Sequence, residues 1–200
     1  MNIGCSILAG GKNSRLGGKD KAFLKINNCT IIENNLYFLE QIFEEIILVT
    51  NNPEKFSSLN NNIKIVSDKI KNIGPLGGIY SALYHTKKQA IFFTPCDMPF
   101  LNKNLIIDLI TTFNYVKCDA IIPRINNNIE PLYAIYSKEI LKKLQNHIIE
   151  TKKYSIRSFY DKINVHYLDL SDNETNKKTF TNINTPDDIK NISKKYNIDI

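Results

Sequence analysis

The residues most able to do chemistry in this sequence are glycines and cations gathered near its start and two acids set apart further on. The first group is Leu8-Ala9-Gly10-Gly11-Lys12-Asn13-Ser14-Arg15-Leu16-Gly17-Gly18-Lys19-Asp20-Lys21. Gly10 and Gly11 let the backbone approach a ligand closely and turn its N–H groups inward, as a phosphate or a base edge requires. Arg15, Lys19 and Lys21 can then neutralise a polyphosphate. The segment is neither a Walker A loop nor a Gly-x-Gly-x-x-Gly dinucleotide turn. Composition alone fits a flexible surface loop with solvated cations equally well. Its position directly after an apolar β-type run favours a ligand, because open α/β sheets bind ligands beyond the carboxyl ends of their strands.

The first acid is Asp97, in Phe92-Phe93-Thr94-Pro95-Cys96-Asp97-Met98-Pro99-Phe100. A carboxylate held at the end of an apolar strand suits Mg²⁺, which takes one or two carboxylates and completes its shell with substrate phosphates and water. A turn Asp that accepts backbone N–H groups is the competing reading. Asp68 poses the same choice: it supplies the acidic side of the site together with Asp97, or it simply begins a loop. Gly74-Pro75-Leu76-Gly77-Gly78 reads either as a helix-entry turn alone or as one whose small residues also let a helix N-terminus face an anion. Cys96 reads as a packing residue, since no neighbouring feature would activate a thiol.

These residues need a scaffold, and the patterning describes one. Short β-type runs at Ile3 to Leu8, Glu45 to Thr50, Ile63 to Val66, Ala90 to Thr94, Ala120 to Pro123 and Leu132 to Tyr136 alternate with segments of helical period. Ile31 to Ile42 has an apolar stripe at Ile32, Leu36 and Leu39, continued by Phe43, and Leu76 to His85, Lys103 to Phe113 and Lys138 to Ile149 read likewise. Thr185-Pro186-Asp187-Asp188 has the form of a capped helix start. The Asn/Lys-rich pieces, including Ser171 to Lys178, read as loops. Alternating β and α segments imply a mainly parallel sheet of α/β class, and several nearly continuous apolar strands imply burial on both faces.

Length and composition narrow the classes further. A chain of 200 residues with 42% apolar content suits a single domain, 1–200, around one core. The net charge of +6 is spread without long basic blocks. The ten Tyr and ten Phe fall mostly within apolar stripes, so no nucleic-acid partner is expected. Four scattered Cys and three His show no zinc-like spacing, no stretch is long enough to span a membrane, and no signal peptide opens the chain. The expected setting is the cytoplasm.

At its motifs the sequence resembles the molybdenum cofactor guanylyltransferases, a family with a three-layer α/β/α, Rossmann-like nucleotidyltransferase fold. The opening Leu8-Ala-Gly-Gly-Lys-Asn-Ser-Arg15 with Lys21 matches the broader nucleotidyltransferase group, with Leu16 in place of the usual Met. Gly74 to Gly78, Pro95-Cys-Asp-Met-Pro99, Glu130-Pro-Leu-Tyr133 and Phe180-Thr-Asn-Ile-Asn-Thr-Pro186 follow in the family's order and point to the molybdopterin branch. The resemblance implies that GTP is held by Leu8, Ala9, Gly10, Lys21, Asp68 and Asp97. It assigns Mg²⁺ to Asp97, catalysis to Arg15, Lys21 and Asp97, and the molybdenum-molybdopterin substrate to Asn182 and Asn184. The N-terminal half would thus bind GTP and Mg²⁺ and the C-terminal half the pterin substrate, with other cofactor-assembly proteins as further partners. An Asn used after the second strand in some members falls at Thr50, Asn51 or Asn52. Rival readings are a sister cytidylyltransferase, a transferase for a sugar or isoprenoid phosphate, and a noncatalytic GTP-binding carrier.

Overall fold

The computed structural model describes residues 2–10, 21–59 and 62–198. Its strands are β1 (Ile3–Leu8), β2 (Lys25–Ile26), β3 (Cys29–Thr30), β4 (Ile46–Val49), β5 (Lys64–Val66), β6 (Ala90–Pro95), β7 (Ala120–Ile125), β8 (Asn128–Ile129), β9 (Ala134–Ser137) and β10 (Val165–Leu170). The α-helices are α1 (Ile31–Glu40), α2 (Pro75–His85), α3 (Lys103–Tyr115), α4 (Leu141–Thr151), α5 (Glu174–Thr179) and α6 (Pro186–Tyr196). The main sheet runs β10-β7-β9-β6-β1-β4-β5, with β8 added to β7, while β2 and β3 form a separate hairpin.

The strands alternate their side chains between two apolar layers, as a sheet covered on both faces must. Ile46 and Leu48 of β4 and Phe92 of β6 enter one layer with Ile32, Leu36 and Leu39 of α1 and Leu105, Ile106 and Leu109 of α3. Ile47, Val49, Ile91 and Phe93 enter the other, with Leu76, Ile79 and Leu83 of α2 and Leu144 and Ile148 of α4. The result is the expected three-layer α/β/α arrangement.

β4, β1, β6 and β5 are parallel neighbours, and β10 runs parallel to β7. β9, however, pairs antiparallel with both β6 and β7. It begins at Ala134, two residues later than the apolar run suggests, because Tyr133 N–H is held in a turn on the Glu130 carbonyl (3.1 Å). Its reversed direction brings its entry to the carboxyl ends of the parallel strands.

Several elements escape the sequence reading, β8 among them. The edge strand β10 has only intermediate or exposed positions and so lacks a clean apolar alternation. The β2–β3 hairpin turns through Asn27 and Asn28 at φ 47° and 74°, left-handed conformations that Asn tolerates. α5 replaces most of the loop expected over Ser171 to Lys178. Asn173 caps it by accepting from Asn176 N–H at 2.9 Å. The α6 start is as expected: the Thr185 hydroxyl accepts from Asp188 N–H (3.1 Å), and the Asp188 carboxylate accepts from Thr185 N–H (2.8 Å). Caps of this kind are worth about 1 kcal/mol.

Candidate active site

The carboxyl ends of β6, β1, β4 and β5 lie side by side, and the residues immediately beyond them form the candidate site. Past β1, Ala9 N–H donates to the Val49 carbonyl (2.8 Å), and the Leu8 carbonyl accepts from Cys96 N–H (3.1 Å). These bonds clamp the chain in line with the sheet as far as Ala9. The Leu8 side chain is buried in the core layer beneath, so Leu8 is floor rather than wall. Gly10 is the first exposed residue. A Cβ there would lie 4.0 Å from both Asn51 Nδ2 and Asp68 Oδ2, in ordinary van der Waals contact, so Gly10, Asn51 and Asp68 meet at one corner.

Of the three residues after β4, one side chain reaches that corner. The Thr50 side chain is buried, and its hydroxyl accepts from Asn52 N–H (3.2 Å). Asn51 instead turns outward and donates to Asp68 Oδ2 at 2.9 Å. The other carboxylate oxygen of Asp68, Oδ1, is buried with no hydrogen-bond partner among the described residues. Burial raises the Asp68 pKa, and the Asn51 bond opposes the rise. A buried oxygen without a donor is costly unless a ligand supplies one.

The Gly74 to Gly78 segment has a packing explanation. Gly74 turns into α2 at φ 63°, a conformation that suits glycine. Cβ atoms at Gly77 and Gly78 would approach the Ile70 carbonyl oxygen to 2.8 Å and Leu8 Cδ2 to 2.9 Å. These small residues thus bring α2 close to β1 and to the loop bearing Asp68, as a helix-entry turn would.

At the other end, two residues past β6, Asp97 Oδ2 lies 3.2 Å from Lys21 Nζ, and both side chains are about one-fifth exposed. Lys21 Nζ also donates to Asn184 Oδ1 at 2.5 Å. Asn184 is placed by two neighbours: its N–H donates to the capping carboxylate of Asp188 (2.8 Å), and the preceding Ile183 N–H donates to the Asp97 carbonyl (2.9 Å). Beneath them, Ile183 and Ile192 pack with Ile26 and Ile31. The last helix is therefore moored beside Lys21 by a small apolar cluster of its own. Asn182, half-buried, lies two residues before Asn184 on the same segment.

Asp68 and Asp97 do not form one acidic face. Three strand spacings separate their positions, roughly 14 Å across the sheet. No group of three or more metal-ligating His, Cys, Asp or Glu side chains occurs among the described residues. Arg15, with Gly11 to Asp20 as a whole, lies outside the described residues. The structure brings together Lys21, Asp97 and Asn184 at one end and Gly10 and Asp68 at the other, with Asn51 as the member that residue type alone could not single out.

A three-layer α/β/α fold with polar side chains gathered along the carboxyl edge of its parallel strands places the chain in the nucleotidyltransferase class. The chain belongs to the MobA-like NTP transferase family, whose model matches residues 5–166. It is 35% identical to a probable molybdenum cofactor guanylyltransferase of Natranaerobius thermophilus, over 98% of this chain and 96% of that one. It is 32% identical to the molybdenum cofactor guanylyltransferase of Vibrio campbellii, over 92% and 91% of the two chains. The crystal structure of molybdopterin-guanine dinucleotide biosynthesis protein A from Archaeoglobus fulgidus superimposes with a TM-score of 0.80 at 26% identity, covering 96% of this chain and 98% of that one.

Proposed function

We propose that this enzyme transfers GMP from GTP to the terminal phosphate of molybdenum-molybdopterin, forming the guanine dinucleotide cofactor and releasing diphosphate. The observation that carries the reading is the position of Lys21. One side chain bridges Asp97, on the nucleotide edge, and Asn184, on the segment that the family resemblance gives to the pterin substrate.

The Gly10, Asn51 and Asp68 corner suits the nucleoside, because Asp68 Oδ1 needs a donor and a base or ribose carries them. Lys21 and Asp97 suit the phosphates. In the reaction an oxygen of the acceptor phosphate bonds to the α-phosphorus of GTP, and the α–β phosphoanhydride bond breaks, its electron pair leaving with diphosphate. A phosphate monoester is largely ionised near neutral pH, so no protein nucleophile or strong base is needed, and positioning dominates. Lys21 offsets charge on the reacting phosphates, joined in this proposal by Arg15 from the opening loop.

Mg²⁺ suits the oxygen chemistry of Asp97, a partly exposed carboxylate of which Lys21 engages only Oδ2; substrate phosphates and water would complete its oxygen shell. When bound it would supply charge neutralisation and polarisation of the phosphoryl oxygens. No helix among the described residues is long and apolar enough to cross a membrane. We place the reaction in the cytoplasm, where the four cysteines, none of them in a disulfide, would stay reduced. Proteins that deliver the pterin or receive the product are its natural partners.

The test is calorimetric titration with GTP, CTP, ATP and UTP, with and without Mg²⁺, on wild type and Asp97→Ala. Selective binding of GTP that needs Mg²⁺ and weakens in the variant, together with loss of turnover in a folded Asp97→Ala protein, is the expected result. A preference for CTP would move the chain to cytidylyl transfer, absence of all nucleotide binding would remove the function, and normal turnover in Asp97→Ala would remove the metal assignment.

A further inference from the structure

The carboxyl edge of the sheet continues past Asp97 towards β7 and β10, where a second group of residues surrounds a cavity of about 270 Å³. Its apolar walls include Ile125 and Phe180, and its polar lining includes Asn126, Glu130, Asp172 and Lys177. Because β9 runs against its neighbours, its entry at Glu130 faces the same edge as the carboxyl end of β7. Phe180 is four residues before Asn184, so their Cα atoms are at most about 14 Å apart. The cavity therefore lies within one small ligand's reach of Lys21 and Asp97.

Two carboxylates line this cavity. Asp172 is already engaged, by Lys177 Nζ at 2.7 Å and Asn126 Nδ2 at 3.3 Å. The half-buried Glu130 carboxylate accepts no hydrogen bond and makes no ion pair with any described residue. Its main chain, by contrast, is pinned at both polar groups: its N–H donates to the Pro123 carbonyl and its carbonyl accepts from Tyr133 N–H, each at 3.1 Å. Burial raises the Glu130 pKa, with Arg157 opposing. Such a carboxylate gains most from a ligand presenting two adjacent N–H donors, which it can accept together.

Resting on the guanylyl-transfer reading, we infer that Glu130 recognises the acceptor's pterin ring, pairing its two carboxylate oxygens with the ring's 2-amino group and neighbouring N3–H while Phe180 forms an apolar wall. The size of the cavity supports this. At about 270 Å³ it falls just under the usual range for small-molecule sites, which suits a fused bicycle better than a whole nucleotide. A ring seated there would project its phosphate along the Phe180 to Asn184 segment towards Lys21.

The experiment measures guanylyl transfer by wild type and Glu130→Gln, together with GTP affinity and Tm. It adds competition by 6-hydroxymethylpterin and by the matching ring with a 2-oxo group in place of the amine. An amide cannot accept from both donors, so KM for molybdopterin should rise about tenfold or more in Glu130→Gln, with GTP affinity and Tm nearly unchanged. Wild type should be inhibited better by the 2-amino ring, and Glu130→Gln should lose or reverse that preference, because its amide N–H can donate to the 2-oxo group. An unchanged KM in the variant, or equal effects of the two rings on wild type, would overturn the inference while leaving guanylyl transfer standing. Absence of transfer by wild type would instead overturn the reading on which the inference rests. If Glu130→Gln fails to fold, the competition on wild type still decides.

Discussion

Lys21 should be energetically coupled to Asn184, and the coupling can be measured without any substrate. The bond from Lys21 Nζ to Asn184 Oδ1 is 2.5 Å and has a charged donor, and the Lys21 side chain is only 18% exposed, so solvent screens it incompletely. Hydrogen bonds involving a charged group contribute about 1.5–3 kcal/mol, and the lower end applies to a site that is not fully buried. Lys21→Met also strips Asp97 of its cation, so we expect that variant to lose about 2 kcal/mol, or roughly 4–8 °C in Tm for a protein of this length. Asn184→Ala should lose about 1.5 kcal/mol, and the double variant little more than Lys21→Met alone. Urea unfolding of the four proteins, read as a double-mutant cycle, gives the coupling directly. In the transfer assay Lys21→Met should reduce turnover by about 10²–10³, the range found when a charge-stabilising group is removed. Effects on stability that add to within about 0.5 kcal/mol would show that the contact carries no energy and would refute the bridging role.

Two further substitutions test the nucleoside corner. Gly10→Ala introduces a Cβ with ordinary clearance to the described residues around it, so it should leave Tm unchanged yet weaken GTP binding in calorimetry by filling ligand space; unchanged affinity would mean that the corner is not used. Asp68→Asn should also weaken GTP binding, and it carries a signature in stability. Burial holds the folded-state pKa of Asp68 above its unfolded value, so the folded state binds more protons and this group's contribution falls as pH rises from the ordinary carboxylate range through the raised folded value. Relative to wild type, Asp68→Asn should therefore gain stability at pH 7, with the gain disappearing as pH falls towards 4. A urea midpoint difference that does not vary with pH would contradict this.

The two-layer core was legible because its signals are local. β1, β4 and β6 read as apolar runs, α1 and α3 as apolar stripes, and Thr185 with Asp188 as a helix start, each set by a few consecutive side chains. β10 was missed because an edge strand need not carry a two-sided apolar pattern, and α5 because six polar residues are helical only by virtue of their cap and their neighbours. The direction of β9 is not written in its residues, since an apolar strand pairs either way; its neighbours β6 and β7 decide it.

The site divides along the same line. Gly10 and Asp97, each just past an identifiable apolar strand, and Lys21, in the same Gly- and cation-rich segment as Gly10, were legible as candidates for phosphate chemistry, although a solvated loop and a turn Asp fitted the same residues. Choosing Asn51 over Thr50 and Asn52, separating Asp68 from Asp97, explaining Gly77 and Gly78 by packing, and joining Lys21 to Asn184 across 163 positions of sequence all required the tertiary structure. Residue type determines what a side chain can do; the packing of distant segments determines which partner it meets.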